Sequence, residues 1–471
     1  MEPHVPRFQT QNESLQRLYD AAVQKAALNL CSFGGRRVLV EGGGYEKIWL
    51  ETQPMGGAMY ALRDPEAGRN NQLLFMELQR KDGRLPGSIA LVDGRVVPQF
   101  NKIQGFCFPD PALDVYYLTG RDPAYLDLLY TSLERFDRYL WAVRDSDGDG
   151  CLESWCKYDT GEDNAVRYGN APDDWPWEVP PTGCSAVPMA SMDFMSFSYS
   201  ARKVMADIAA LRGDEPLRKK HLAEADEVAR RLKDYLWRED LGALFDRGPD
   251  HAFLPELTHN TLRAMYFGSI SAPMAERFVR EHLLDPAQFW TPMPLPSVAA
   301  CDPSFRNIPS NNWSGQCEAL TYQRAIRALE NYGFYPLIPQ LGRKLIHALS
   351  GECRFVQQFD PFTGAPSRAQ TSGGSDGYGP AILSVLEYTA RMWGISVRRE
   401  ELIWGLTEGP DNPSSVYEQE WNGHLYRLQL EGERAEAFLD GRLLFSEKRG
   451  LRIVTDLSGN IMRKDPYQEE K

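Results

Sequence analysis

The strongest constraint on this chain is an apolar stripe that keeps returning at helical spacing. Leu126, Leu129, Leu133, Phe136 and Leu140 fall 3, 4, 3 and 4 residues apart, on one side of a helix. Leu222, Ala225, Val228, Leu232 and Tyr235 repeat the pattern, and Val204, Ile208 and Leu211 close a helix that stops at Gly213. Asp64-Pro65 and Asp122-Pro123 each set a capping carboxylate before a first-turn proline. Together these signals predict about twelve helices, near 12–32, 52–63, 66–82, 106–120, 122–144, 186–212, 214–237, 254–267, 272–284, 314–333, 335–350 and 376–395. Tight Gly/Asp/Pro connections pair them as six antiparallel hairpins. A mainly α fold, an α/α toroid that closes the hairpins into two walls, buries every stripe. A solenoid would need a fixed sequence period, and none is present.

Three stretches interrupt the rhythm, 145–185, 285–313 and 351–375, rich in Gly, Pro, Asp, Asn and Trp. Loops this long in a compact domain are usually functional, and they should gather at one mouth of the toroid. From about 400 the pattern changes to short alternating runs that end in turn residues, such as HLYRLQLEG and LRIVTDLSG, so 424–457 reads as β-hairpins. The expected division is a toroid over 1–398 and a small β-rich domain over 399–471, packing on the toroid rather than binding carbohydrate by itself.

Charge narrows the function. Lys+Arg 52 against Asp+Glu 65 gives −13, with no basic block, which argues against nucleic acid or an anionic membrane as partner. No apolar run reaches the ~20 residues of a spanning helix, and the first residues carry no secretory pattern. The eight cysteines form no CxxC pair or zinc cluster, so buried free thiols in the cytoplasm are expected, with no cofactor. The seven histidines form no ligand array, and EGGGYEK (41–47) lacks dinucleotide-loop spacing. Oligomeric state is not written in periodicity.

The richest stretch for chemistry is 145–177, with carboxylates, Asn164, Arg167 and the tryptophans Trp155, Trp175 and Trp177. Sugar faces stack on aromatic rings, and hydroxyls bond to Asp, Asn and Arg. Glycosidic cleavage needs two carboxyls flanking the bond. A solvated acidic loop is the alternative. Asp145, Asp147 and Asp149 have calcium-loop spacing, but the twelfth position is Cys156 and only Glu153 is a nearby substitute; a plain turn is the expected reading, with no metal.

TGEDNAVRYG (160–169) resembles the TG-x-DN-S-PR-[WY] signature of glycoside hydrolase family 63 and the related trehalase and mannosylglycerate hydrolase groups. Tyr45…Trp49, LQRKDGRLP (78–86), the helix 192–214, NNWSGQ (311–316) and Phe359-Asp-Pro-Phe-Thr-Gly364 resemble further family segments in the same order, across about 40–395. The resemblance implies the α/α toroid and inverting exo-hydrolysis of a small, α-linked glycoside. It puts the general acid on Asp163, with Asn164 and Arg167 positioning the sugar and Trp49, Asp193 and Trp313 at subsites; Tyr378 joins them as a substrate-binding candidate. A salt bridge from Asp163 to Arg167 is the bland alternative.

The departures matter equally. The family's general base is a Glu four residues before the Pro of the last segment, and here Gln357 stands there. An amide holds a water but cannot take its proton. Three explanations stay open: a Glu→Gln exchange that inactivates the enzyme; a base from elsewhere, with Asp360, Glu352, Glu318 or Asp376 as candidates; or no hydrolase at all, but an inverting phosphorylase or a non-catalytic carbohydrate-binding protein. Ser372–Ser375 with Arg368 is a faint phosphate site. Glu51 replaces the usual Asp, and Ser314 replaces an Arg, so the sugar bound is expected to differ from the group's usual one. ETQPMGG (51–57) matches nothing in the signature.

Overall fold

The computed structural model describes residues 5–368 and 374–467. Twelve α-helices form among them: α1 (Glu13–Leu28), α2 (Gln53–Tyr60), α3 (Pro65–Glu77), α4 (Pro109–Leu118), α5 (Pro123–Val143), α6 (Met192–Leu211), α7 (Glu215–Leu236), α8 (Asn260–Phe267), α9 (Ala272–Phe278), α10 (Ala319–Asn331), α11 (Leu337–Ser350) and α12 (Gly379–Trp393). Each falls within an expected segment or within a residue of it. Helices α6 and α10 start late because Met189–Ala190 and Cys317–Glu318, just before them, are drawn into short strands. Side chains cap the starts as expected: Asp64 accepts from the Ala67 N–H at 3.0 Å and Asp122 from Ala124 at 2.9 Å.

Even-numbered helices touch in cyclic order, α2 to α4, α6, α8, α10, α12 and back to α2. Odd-numbered helices pack outside them. The sequence difference follows from position. An outer helix needs one stripe, and α7 buries only His221, Ala225, Val228, Leu232 and Leu236. Inner helix α6 buries nearly every side, from Met192 to Ala209. On α5 the stripe Leu129, Leu133, Phe136 and Leu140 is fully buried. Truncating Leu133 to Ala removes that packing at about 2–5 kcal/mol.

Two antiparallel sheets cover one side of the ring. The first orders Arg7–Thr10, Ser414–Trp421, His424–Glu431, Arg434–Leu439 and Arg442–Lys448. The second orders Ile395–Arg398, Glu401–Leu406, Leu451–Thr455 and Ile461–Pro466. Both lie against α12, where the Tyr467 hydroxyl donates to the Arg391 carbonyl at 2.6 Å. The first sheet therefore takes its edge strand from the N-terminus, which alternation at the C-terminus alone did not foretell. A further hairpin, Ser88–Val92 with Arg95–Gln99, extends to Lys47–Trp49. It was not expected, although its Asp93-Gly94 turn, both residues at positive φ, is a standard hairpin signal.

All six inner helices begin at one end of the ring. Glu51 precedes α2, Phe108 precedes α4, Asp193 opens α6, Asn260 opens α8, Glu318 precedes α10 and Tyr378 precedes α12. Six helix N-termini thus converge, a setting that favours carboxylates.

Candidate active site

A narrow pocket opens at that end, lined by Glu41, Tyr45, Trp49, Glu51, Gln104, Gly161, Asp163, Asn311, Trp313, Leu320, Gln357 and Tyr378. The three interrupting stretches meet here, through Asp163, Asn311 and Gln357. Of the anticipated residues, Trp49, Glu51, Asp163, Trp313, Gln357 and Tyr378 come together in this wall.

The loops are zipped by short contacts. The Trp313 N–H donates to the Asp163 carbonyl at 3.1 Å, and the Asn164 amide donates to the Asn311 carbonyl at 3.0 Å. Asn164 and Asn311 both adopt positive φ, which Asn tolerates better than most residues. Asn164 therefore holds the wall without lining it. The Asn311 amide N–H donates to Asp163 Oδ2 at 3.1 Å, and its carbonyl oxygen accepts from Gln357 Nε2 at 2.9 Å. Gln357 Oε1 in turn accepts from the Tyr45 hydroxyl at 2.8 Å. One side chain thus ties the Asp163 carboxyl to the Gln357 position.

ETQPMGG now has a physical account. Its Glu51 is buried and salt-bridged to Arg324 at 2.7 Å. Gln53 accepts the Trp49 N–H at 3.0 Å, and Gly57 lets α2 approach Asn71 of α3. Gly161, at φ +78°, faces Glu51; a Cβ there would collide with the Glu51 carboxyl.

Electrostatics separate the carboxyls. Asp163 reaches solvent only through the pocket, and its walled-in position pushes its pKa up to about 6, against the pull of the Asn311 amide and Lys102. Burial lifts Glu51 to about 7, opposed by Arg324. Burial, then the neighbouring Glu51, also raises Glu41 well above the usual range. Trp49 Nε1, Gln104 Oε1 and Asp163 Oδ1 are buried without a hydrogen-bond partner in the protein. Buried polar atoms are normally paired, so unpaired ones on pocket residues are places for a ligand's hydroxyls.

Five anticipated residues lie elsewhere, and Asp163 makes no salt bridge to Arg167. Arg167 binds Glu162 at 2.6 Å and Asp193 at 3.0 Å, and pairs with Asp246. Arg263 holds Glu162 at 2.7 Å and Asp193 at 3.1 Å. Arg167 and Asp193 are thus held in a buried ion-pair network and do not line the pocket. Trp155 is fully buried under the Arg144 guanidinium, 4.1 Å from its ring, with its indole N–H on Glu153. Trp175 turns its N–H to the Val179 carbonyl at 2.6 Å, and Trp177 is 60% exposed outside the pocket. Aromatic richness marked the loop but not which face each ring takes.

The alternative bases divide too. Asp360 caps its own turn, Glu352 pairs with Arg368, and Asp376 pairs with Lys25 at 2.6 Å. Glu318 is buried against Gln358 at 2.8 Å, behind the pocket wall. Ser372 and Gly373 of the faint phosphate stretch lie outside the described residues. In 145–150, Asp147 and Asp149 each accept a turn N–H, and Glu153 is taken by Ser146 and Trp155. Asp147, Asp149 and His251 do approach one another at the surface. Glu41, Gln104 and Asn311 were not singled out; Asn311 sits in the quoted NNWSGQ, whereas Gln104 carries no local signal.

A larger cavity lies at the other ends of the inner helices. Its charges are spent on each other, as in Arg391 with Glu330 at 2.7 Å and Glu387 at 3.1 Å.

The wall of the pocket at the helix N-termini thus brings together unpaired buried polar atoms, aromatic rings and a carboxyl whose pKa is raised. Residues 57–379 match the mannosylglycerate hydrolase MGH1-like glycoside hydrolase domain, and the chain belongs to that family. No curated protein matches it in sequence. Among solved structures it is similar to a protein described as a sialidase (TM-score 0.73, 14% identity), covering 96% of this chain but only 42% of that one. It is similar also to the family 63 mannosylglycerate hydrolase of Thermus thermophilus (TM-score 0.61, 18% identity, 79% and 99% covered). The neutral trehalase of Saccharomyces cerevisiae is another likeness (TM-score 0.56, 14% identity, 75% and 74% covered). At such identities the likeness is one of fold. No helix among the described residues is long and apolar enough to cross a membrane.

Proposed function

We propose that this glycosidase is exo-acting and inverting, cleaves a small α-linked glycoside, and uses Asp163 as general acid. The observation that carries the reading is Asp163 itself: it lines the pocket, keeps Oδ1 unpaired, and has a pKa raised to about 6, as an acid that donates near neutrality needs. The protonated carboxyl gives its proton to the glycosidic oxygen as the bond to the anomeric carbon lengthens. Trp49, Trp313 and Tyr378 wall the sugar, Glu51 binds its hydroxyls, and water attacks from the opposite face. Inversion requires the acid and base carboxyls about 6.5–9.5 Å apart.

The cyclic order of the inner helices supports an α/α toroid of six hairpins over about 1–398, with 399–471 as the β-rich part and Arg7–Thr10 lent to it. All eight cysteines are free thiols, which supports a reducing, cytoplasmic setting. The Gln357 amide, occupied at both ends, favours one second reading, a phosphorylase whose nucleophile needs no base. Phosphate-dependent turnover would reveal it. The test of the main reading is a reducing-sugar assay on α-linked disaccharides and glycosyl-glycerates, with the parent beside Asp163→Asn. Turnover in the parent and loss in the variant are expected; equal turnover removes Asp163 from the role.

A further inference from the structure

Within the glycosidase reading, Gln357 leaves the reaction without an obvious base, and the pocket itself offers three carboxyls, Glu41, Glu51 and Asp163. Asp163 is assigned as the acid. Glu51 is neutralised by Arg324 and pressed against Gly161, in the acid's own loop, so it belongs to the acid's side of the pocket. Glu41 is placed differently. Its carboxyl lies beside the Tyr378 hydroxyl, which works against the rise in its pKa, and Tyr378 packs on Tyr45 with ring centroids 6.1 Å apart. Tyr45 is the residue that donates to Gln357. Glu41, Tyr378, Tyr45 and Gln357 therefore form one continuous wall, the wall where a family base would stand.

The backbone that delivers Glu41 is specialised. Gly42, Gly43 and Gly44 all have positive φ, and Gly42 and Tyr45 exchange hydrogen bonds at 3.0 and 3.1 Å. A Cβ on Gly43 would lie 2.9 Å from the Tyr378 Cα. Only glycine lets this turn close against residues 377–379, and closing it brings Glu41 and Tyr45 to the pocket together.

We propose that Glu41 is the general base, the function having moved from position 357 to the glycine turn. The step needs Glu41 as a carboxylate while Asp163 holds its proton, and since burial raises both groups only the fraction of enzyme in that form reacts. Water attacks the anomeric carbon; the glycosidic C–O bond breaks with its electron pair going to the leaving oxygen, which takes the Asp163 proton. The proton lost by water goes to Glu41. Asp163 ends ionised and Glu41 protonated, and exchange with solvent restores both. Burial and the nearby Glu51 make Glu41 a stronger base once ionised. Gln357 holds Tyr45 and Asn311 in place, as a positioning residue.

The test uses α-glycosyl fluorides of the gluco, manno, galacto and L-rhamno series, because fluoride leaves with little help from an acid while water still needs a base. Glu41→Gln should lower fluoride release and O-glycoside hydrolysis alike, each by about 10²–10⁴-fold. Asp163→Asn should instead lose the O-glycoside rate far more than the fluoride rate. Azide or formate added to Glu41→Ala should restore turnover at least tenfold, azide giving the inverted glycosyl azide, which an unfolded chain could not do. Retention of fluoride release by Glu41→Gln within threefold overturns the inference, as does a Gln357→Glu variant that restores full rate to Glu41→Ala. A parent that releases fluoride from none of the series brings down the glycosidase reading itself, and this inference with it.

Discussion

Glu162 and Asp163 are neighbours in the chain, yet the fold sends them to opposite fates. Glu162 turns into the protein, where burial alone would raise its pKa; the Arg263 and Arg167 guanidiniums and His259 hold it well below the usual range instead. Asp163 turns into the pocket, where the Asn311 and Gln104 amides and Lys102 offset its burial only in part, and is pushed up to about 6. Three network carboxyls (Glu162, Asp193, Asp246) face two guanidiniums, and Asp246 is the one burial lifts to about 6. On the proposed reading, the buried pairs position the loop, and the carboxyl denied the compensation its neighbour receives is the acid.

Breaking each side should have a different signature. Asp163→Asn is expected to lower kcat/KM on O-glycosides by ~10²–10⁴, read by the reducing-sugar assay, with sugar binding by calorimetry largely kept. Arg167→Met should act on stability: it strands three carboxyls against one guanidinium, and urea unfolding should show a loss of about 3–5 kcal/mol.

The two carboxyls also predict opposite pH signs. Asp163 is raised from 3.8 to about 6, so its stabilising contribution is complete below 3.8 and lost as pH rises through about 6. Glu162 is depressed below 4.5, so its contribution is present above that value and lost as pH falls through its folded one. Asn mimics the protonated Asp. Asp163→Asn should therefore exceed the parent in stability by on the order of 1 kcal/mol near neutrality, a gap that closes as the pH falls toward 4, seen by urea unfolding at each pH. In the parent, the Asp163 limb of the kcat/KM profile should lie near pH 6, and Asn311→Ala, which removes a hydrogen bond favouring ionised Asp163, should move that limb to higher pH. The smallest effect is expected at Trp177→Ala: outside the pocket and exposed, it should change stability by under about 0.5 kcal/mol and leave kcat/KM within twofold.

The sequence made the ring legible because a stripe such as Leu129, Leu133, Phe136 and Leu140 is a local signal that needs no partner to be read. The place of Asp163 in the pocket wall was legible through its motif. Its contrast with Glu162 was not, since His259, Asn260 and Arg263 lie about a hundred residues downstream. Trp155 was misplaced for a similar reason: Arg144 covers it, and spacing does not say so. Glu41 was hidden by a glycine run that looked like a failed nucleotide loop, its meaning supplied only by residues 377–379 closing over it.

The most direct measurement is the titration of the Asp163 carboxyl by 13C NMR on Asp-labelled protein, its signal identified by disappearance in Asp163→Asn. A midpoint near 6 is predicted. A midpoint at or below the ordinary value of 3.8 would mean that Asp163 is ionised whenever substrate meets it, and would contradict its part as the acid.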